Sequence, residues 1–454
     1  MTRLVVIGGG AAGMSAASVA RRVDPGLEVV VCEAGGFAAY GMCGIPYFLG
    51  GVVPRAEDLL AHPPSEFSGR RGIDLRLNTR VQAIDVARRQ VNLAGAGPLG
   101  YDVLIVASGA DPARPPVPGL DQPRVFTIRS LDEAIELRRL LRSGAVRRAI
   151  VVGAGYVGLE TAEALVSAGV EVDVVEALPH VLGTVDEPIA ELARAELERH
   201  ARLRLGARLE QVRADGSAVT AVVDGTELST DLVVIAAGVR PATDLLIRAG
   251  ARHLPDRSVI VDASMRTSLA DVLAAGDCVA LPHLVLGGPA WVPLGPAANK
   301  TGRVAGTVAA GGSASFRGVV GTAVVKVFDL EVARTGLGLT EARAAGLDAV
   351  ATDVVSRSRA KYYPGASPLH VRLVHTPGGR LLGGQLAGRE GAAKRIDVLA
   401  TALYAGLTVA DLAALDLSYA PPYAPVYDPV LAAAAKALEP APRSEDHREP
   451  AAPA

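Results

Sequence analysis

The sequence predicts an α/β protein with two Rossmann-like nucleotide-binding domains, the second inserted into a split first, followed by a C-terminal α+β domain. Three observations predict this. A strand–glycine turn–helix–strand unit opens the chain, the same unit recurs after Arg148, and the pattern changes to half-exposed alternation from about Val319. The chain has 454 residues, room for two or three domains, and 50 glycines that suit tight α/β packing. A net charge of −2 provides no broad basic surface for nucleic acid or membrane. No apolar run reaches the ~18 residues of a membrane span.

Leu4-Val5-Val6-Ile7 is a continuous apolar run, as expected of a strand buried on both faces. Gly8-Gly9-Gly10-Ala11-Ala12-Gly13 follows and opens a helix to about Arg22. Gly8, Gly10 and Gly13 permit a tight turn and let a pyrophosphate sit on the helix N-terminus. The second strand, Val29 to Cys32, ends in Glu33, placed to bind a ribose hydroxyl. Arg148 to Val152 leads into Gly153-Ala154-Gly155-Tyr156-Val157-Gly158, a second helix, and a strand ending in Glu176. Two such units imply two nucleotides, a resident flavin (FAD) and an exchangeable nicotinamide. Glu176 would repel a 2′-phosphate and no Arg follows it closely, which favours NADH over NADPH.

Tyr101 to Ala110, ending in Ser108 and Gly109, and its counterpart Leu232 to Pro241, containing Gly238, each carry the chain out of one nucleotide unit. Val272 to Asp277 is a short strand closing on an acid that could hydrogen-bond a ribityl chain. The expected boundaries are 1–115 with 243–318 for the FAD domain, 116–242 for the NAD(P)H domain, 319–437 for the C-terminal domain, to which the resemblance given below assigns dimerisation, and 438–454 for a disordered tail. Strands are expected over Ala323–Phe328 and Leu369–Val374, with a helix around Ile396 to Ala405.

The chemistry centres on Tyr40-Gly41-Met42-Cys43-Gly44-Ile45-Pro46-Tyr47. Cys43 has no cysteine four or five residues on, so it cannot close a short-loop disulfide. Its oxidised form must be a sulfenic acid or a mixed disulfide. A depressed thiol pKa is expected from the helix N-terminus after Gly44-Ile45-Pro46 and from a nearby flavin. Cys32 and Cys278 read as packing residues. Three cysteines, spaced wrongly for zinc, suit a reducing cytoplasm, and a first strand at Arg3 leaves no room for a signal peptide.

This layout resembles the pyridine nucleotide–disulfide oxidoreductase superfamily. The single-cysteine turn, Tyr362-Tyr363-Pro364-Gly365, Gly391 to Asp397 and Tyr419 to Pro429 resemble its coenzyme A-disulfide reductase branch, related to NADH oxidases and peroxidases. The resemblance implies hydride transfer from NADH to flavin and reduction of a Cys43 mixed disulfide. It also implies a homodimer whose active site takes tyrosines from the partner subunit: Tyr362 or Tyr363, and Tyr419. By motif match it places Gly8, Gly10, Ala11, Gly13, Glu33, Val81, Ser108, Gly109, Asp277, Ala298 and Tyr419 at FAD. It places Gly153, Gly155, Tyr156, Val157, Gly158, Glu160, Glu176 and Gly238 at NAD, and Ser15, Arg22, Arg71, Asn299 and Tyr427 at coenzyme A.

Peroxidases and oxidases of the group carry a histidine where this chain has Ala11, which favours disulfide reduction. Ala39 and Met42 stand where coenzyme A-disulfide reductases are often polar, which admits persulfide, polysulfide or another small disulfide as substrate. The alternatives are an NADH oxidase forming peroxide or water, and an NADH-binding flavoprotein that senses redox state or passes electrons to a protein partner.

Overall fold

The computed structural model describes residues 2–216 and 218–439. Residues 440–454, nearly all of the expected tail, lie outside the described residues. A five-stranded parallel sheet takes, in spatial order, Val272–Ala274, Val103–Val106, Arg3–Ile7, Glu28–Cys32 and Ile73–Arg76. Leu4 pairs with Val29 on one side and Val103 on the other. Leu4, Val5 and Val6 are fully buried, which explains their unbroken apolar run. The Val272–Ala274 strand joins this sheet from far along the chain.

The second sheet orders Arg202–Leu205, Glu171–Glu176, Arg148–Val152, Leu232–Ile235 and Val125–Phe126, again in parallel. The two chain passages linking the units run side by side, Ala110–Pro112 pairing antiparallel with Val239–Pro241. Each nucleotide unit also carries a three-stranded antiparallel sheet, over residues 81–100 and 209–230.

Helices Ala11–Val23 and Gly295–Ala309 pack backbone to backbone. A Cβ on Gly302 would lie 2.2 Å from the Ala12 carbonyl oxygen, and one on Gly306 2.2 Å from that of Ala16. Glycine at both positions allows this approach, which sets Ser15 of the first helix against Asn299 of the second.

The C-terminal unit is a five-stranded antiparallel sheet, ordered Ala323–Val327, Leu330–Gly336, Leu381–Gly388, Pro368–His375 and Val350–Arg357. Helices Ala392–Ala405 and Pro429–Ala437 share its core. It is tied to the second nucleotide unit by the buried pair Arg372–Asp186 at 2.8 Å. Arg334, bonded to the Thr184 carbonyl, adds a second tie. Among the described residues no helix is long and apolar enough to cross a membrane.

Candidate active site

The two glycine turns are built alike. Gly8 and Gly153 hold φ of 101° and 107°, and a Cβ on either would sit 2.3 Å from a carbonyl oxygen, of Ala107 or Ala236. A Cβ on Gly13 would come within 1.9 Å of the Gly8 oxygen, and one on Gly158 within 1.9 Å of the Gly153 oxygen. Gly10 and Gly155 differ: a Cβ on either meets no atom within 4 Å. These residues precede the helices Ala11–Val23 and Tyr156–Ser167 and face open space at their N-termini. Backbone N–H groups and the helix dipole at each of these N-termini suit a pyrophosphate.

The acids at the strand ends orient their turns. Glu33 accepts from the Gly9 and Gly35 amides at 2.6 and 2.7 Å. Glu176 accepts from the Ala154 and Leu178 amides at 2.7 and 2.8 Å. Each carboxylate keeps lone pairs for a ribose hydroxyl. Tyr156 and Val157 begin the second helix, Tyr156 taking a bond from Thr184 Oγ1 at 3.1 Å. Ala11 begins the first helix, and Gly238 turns the chain at φ 100° after the strand Leu232–Ile235.

The remaining flavin candidates come from several elements. Ser108 bonds the Ala242 carbonyl at 2.6 Å, and Gly109 lies beside Arg129. Val81 and Ala298 are buried. Asp277 is half-buried, and its backbone carbonyl accepts from the Trp291 indole at 2.7 Å. Burial pushes its carboxyl up, against the pull of Arg129. Among the described residues the Asp277 carboxylate makes no hydrogen bond within the chain, leaving it free for a ribityl hydroxyl. An open cradle and a half-buried acid without a partner fit an FAD here.

Cys43 sits in a single 3₁₀ turn, Met42–Gly44, which runs into the five-residue helix Ile45–Leu49. It is exposed, whereas Cys32 and Cys278 are buried. The chain's own groups push its thiol up, where the helix N-terminus and a bound flavin are expected to lower it. The cleft walls desolvate the thiol, and the carboxylates of Glu160 and Asp277 push it further up. A five-residue helix has too few aligned peptides to outweigh them. Cys43 neighbours Met42, whose sulfur accepts from Arg129 at 3.0 Å.

Glu160 stands on the second nucleotide helix, half-buried, with the Tyr47 hydroxyl 3.4 Å from its Oε1. Desolvation raises its carboxyl to about 7, and burial raises the Tyr47 phenol to about 12. Neither Tyr47 nor Arg129 was singled out from sequence. Their partners lie 113 and 87 residues away, and no motif announces them.

Four of the five substrate candidates lie in one region. Ser15 Oγ bonds Asn299 Oδ1 at 2.8 Å. Arg71 reaches Ser18 Oγ at 3.0 Å and Glu66 at 2.7 Å, so its guanidinium is already engaged. Glu66 also takes Arg70 at 2.9 Å and His62 at 3.1 Å. Ser15, Ser18 and Arg22 follow one helical stripe, with Arg22 exposed.

Tyr427, the fifth, belongs to the C-terminal unit and is 79% exposed. The Tyr362 and Tyr419 hydroxyls meet at 3.3 Å, and that bond raises Tyr419. Tyr363 packs against Arg359 instead. Tyr362, Tyr419, Tyr423 and Tyr427 all face outward. Among the described residues no hydrogen bond joins them to Cys43 within the chain.

Residues 2–303 match the family described as pyridine nucleotide-disulphide oxidoreductase, and residues 322–429 match its dimerisation domain. An "NAD(P)H sulfur oxidoreductase (CoA-dependent)" of Pyrococcus abyssi is 37% identical over 431 residues, covering 94% of this chain and 96% of that one. A "Coenzyme A disulfide reductase" of Staphylococcus haemolyticus is 29% identical, covering 93% and 96%. The solved structure of an NAD-dependent persulfide reductase from A. fulgidus superposes with a TM-score of 0.92 at 39% identity. It covers 96% of this chain and 82% of that one.

Proposed function

Because the chain belongs to the pyridine nucleotide-disulphide oxidoreductases, we propose that it is an FAD-dependent NAD(P)H oxidoreductase that reduces coenzyme A disulfide, or coenzyme A persulfide or polysulfide, at Cys43. The observation that carries this reading is Cys43 itself, the exposed one of the three cysteines, in a chain with two glycine turns of matching geometry. When bound, FAD supplies the two-electron relay between nicotinamide and sulfur. The first turn, with Glu33 and Asp277, holds it, and the second turn, with Glu176, holds NADH in preference to NADPH.

The chain's own residues handle the sulfur chemistry. The Cys43 thiolate attacks a disulfide, forming a mixed disulfide and expelling one thiolate. Two electrons and one proton then cleave the mixed disulfide, releasing the second thiol and restoring the Cys43 thiolate. Ser15, Arg22, Arg71 and Asn299 bind the anionic substrate, with Arg71 exchanging Glu66 for a phosphate. Tyr362, Tyr363, Tyr419 and Tyr427 reach the site from the partner subunit of a homodimer, where their hydroxyls donate to developing negative charge. Free cysteines suit a reducing cytoplasm.

The test is the mass of the unreduced protein. An adduct of coenzyme A mass on the Cys43 peptide, released by NADH together with the thiol, supports the reading. A sulfenic acid at Cys43 with rapid NADH-dependent oxygen loss, and no adduct, replaces it with an oxidase.

A further inference from the structure

The helix that follows Cys43 packs into the second nucleotide unit. Ile45, Phe48 and Leu49 lie in one buried apolar cluster with Leu137 and Leu159 of that unit. A Cβ on Gly50, just past the helix, would lie 3.2 Å from the Ala164 Cα, so the two backbones touch. Upstream, the Cys43 turn is held by backbone, the Gly41 amide donating to the Leu59 carbonyl at 2.9 Å. Downstream, the hold is a side chain. Arg138, on the helix Leu131–Arg142, donates from Nη1 to the Phe48 carbonyl and also to the Val53 carbonyl, the latter at 2.7 Å. Its guanidinium lies 4.2 Å from the centroid of the Phe48 ring.

Arg138 is only 6% exposed, yet among the described residues no carboxylate pairs with it. Burying an unpaired guanidinium costs free energy that an apolar side chain of similar volume would not. What the cation secures is the end of a helix, whose last carbonyls have no partner within it. It also ties that end to the returning chain at Val53. We propose that Arg138 is a positioning residue for Cys43: by holding Phe48 and Val53 it fixes where the sulfur stands when electrons reach the mixed disulfide. The inference rests on the reading of Cys43 as the reacting sulfur. Phe48 is five residues beyond Cys43, about 8 Å along a helical axis. A helix loosened at Phe48 therefore carries its displacement to the sulfur, and a misplacement of about 1 Å costs on the order of 100-fold in rate. Hydride transfer from nicotinamide to flavin does not involve the sulfur and is not slowed.

A purely structural role makes the opposite demand. Arg138 stands on a helix of the second unit, so a variant that merely loosened this unit would impair the handling of NADH first. Methionine at 138 fills the space of the arginine stem and removes the buried charge. The Phe48 carbonyl keeps the Gly51 amide at 3.2 Å, so among the described residues Val53 alone loses its donor.

The test follows both half-reactions in one anaerobic mixing experiment. The FAD-loaded protein, with Cys43 as its coenzyme A mixed disulfide, is mixed with excess NADH. Flavin bleaching reports the arrival of hydride. Loss of the coenzyme A adduct from the Cys43 peptide, timed by acid quench and mass spectrometry, reports cleavage. In Arg138→Met, bleaching is expected to keep its rate within about twofold while cleavage slows about 100-fold. Arg138→Lys keeps a charged donor and is expected to recover part of the loss, slowing cleavage about tenfold; it carries the comparison if the methionine variant does not fold. Hydrogen exchange is expected to quicken in the peptide spanning residues 44–53 and not elsewhere in the second unit. Equal slowing of both steps, slowing of bleaching alone, slowing of neither, or unchanged exchange in that peptide overturns the proposal and leaves the role of Cys43 standing. If NADH cleaves no mixed disulfide at Cys43 in the unaltered protein, that role fails and the inference fails with it.

Discussion

Arg395 holds Asp428 at 2.8 Å, with both side chains nearly buried. The same guanidinium donates to the carbonyls of Tyr423 at 2.8 Å and Ser358 at 3.0 Å. Asp428 in turn caps the helix Pro429–Ala437 through the Val430 amide at 2.9 Å. One arginine thus fastens the tyrosine-bearing loop to the end of the strand leading to Tyr362. Removing one partner of a buried pair strands the other charge, at a cost of about 3 kcal/mol. Arg395→Ala is expected to lower the denaturation midpoint and open the Tyr419–Asp428 loop to proteolysis. An unchanged midpoint and an intact loop would show that the pair does not hold it.

The glycine turns separate folding from binding. A Cβ at Gly158 collides with backbone, whereas one at Gly155 meets nothing. Gly158→Ala is expected to lose several kcal/mol of stability. Gly155→Ala is expected to fold normally and raise the KM for NADH by about tenfold, because its methyl occupies the space left for a pyrophosphate. In the first unit Gly10→Ala should purify with less flavin, while its flavin-free form melts at the same temperature as the flavin-free parent. Full NADH affinity in Gly155→Ala would remove that turn from the nucleotide site.

Much of this was legible because parallel strands buried on both faces read as apolar runs, and because each glycine turn contains its own requirements. Leu4 to Gly13 and Ala149 to Gly158 needed no distant partner to be interpreted. The antiparallel sheets at 81–100 and 209–230 went unread, since short, half-exposed strands such as Val81–Asp85 carry little apolar signal. The groups that act on the Cys43 thiol within the chain went unread for a related reason. Local sequence shows a helix start beside the thiol, but the opposing carboxylates arrive from positions 160 and 277. The Tyr47–Glu160 and Arg395–Asp428 contacts are likewise products of tertiary packing.

Whether the active site is shared between subunits can be read from complementation. Tyr362, Tyr419 and Tyr427 face outward and make no bond to Cys43 within the chain, among the described residues. Cys43→Ser and Tyr419→Phe subunits are each expected to be weak alone. If the tyrosine serves the partner's cysteine, mixed dimers contain one intact site, and an equal mixture should recover about a quarter of full activity. If both residues act within one subunit, no dimer contains an intact site and mixing recovers nothing.

The proposed preference for NADH over NADPH is assigned to Glu176. Its carboxylate bonds the Ala154 and Leu178 amides and carries the charge that a 2′-phosphate would meet. Glu176→Gln keeps an acceptor but removes the charge. The ratio of kcat/KM for NADPH over NADH is expected to rise about tenfold. A ratio unmoved by the substitution would place the discrimination elsewhere in the loop.

The buried state of Glu160 also has a consequence for folding that needs no substrate. Burial raises its carboxyl to about 7, from 4.5 when solvated. The folded chain therefore binds this proton more tightly than the unfolded chain. The stabilisation is complete at low pH, below the solvated value, and is lost as pH rises through about 7. Above that, the fold carries an unpaired charge in a desolvated wall. Glu160→Gln removes this liability, so the variant and the parent should be similarly stable near pH 4.5. Near pH 8 the variant should be more stable by about 3 kcal/mol. Denaturant titrations at the two pH values measure the difference directly. A stability gap of the same size at both would mean that Glu160 does not change protonation between the folded and unfolded chain, and the carboxyl would then be an ordinary anion at neutral pH.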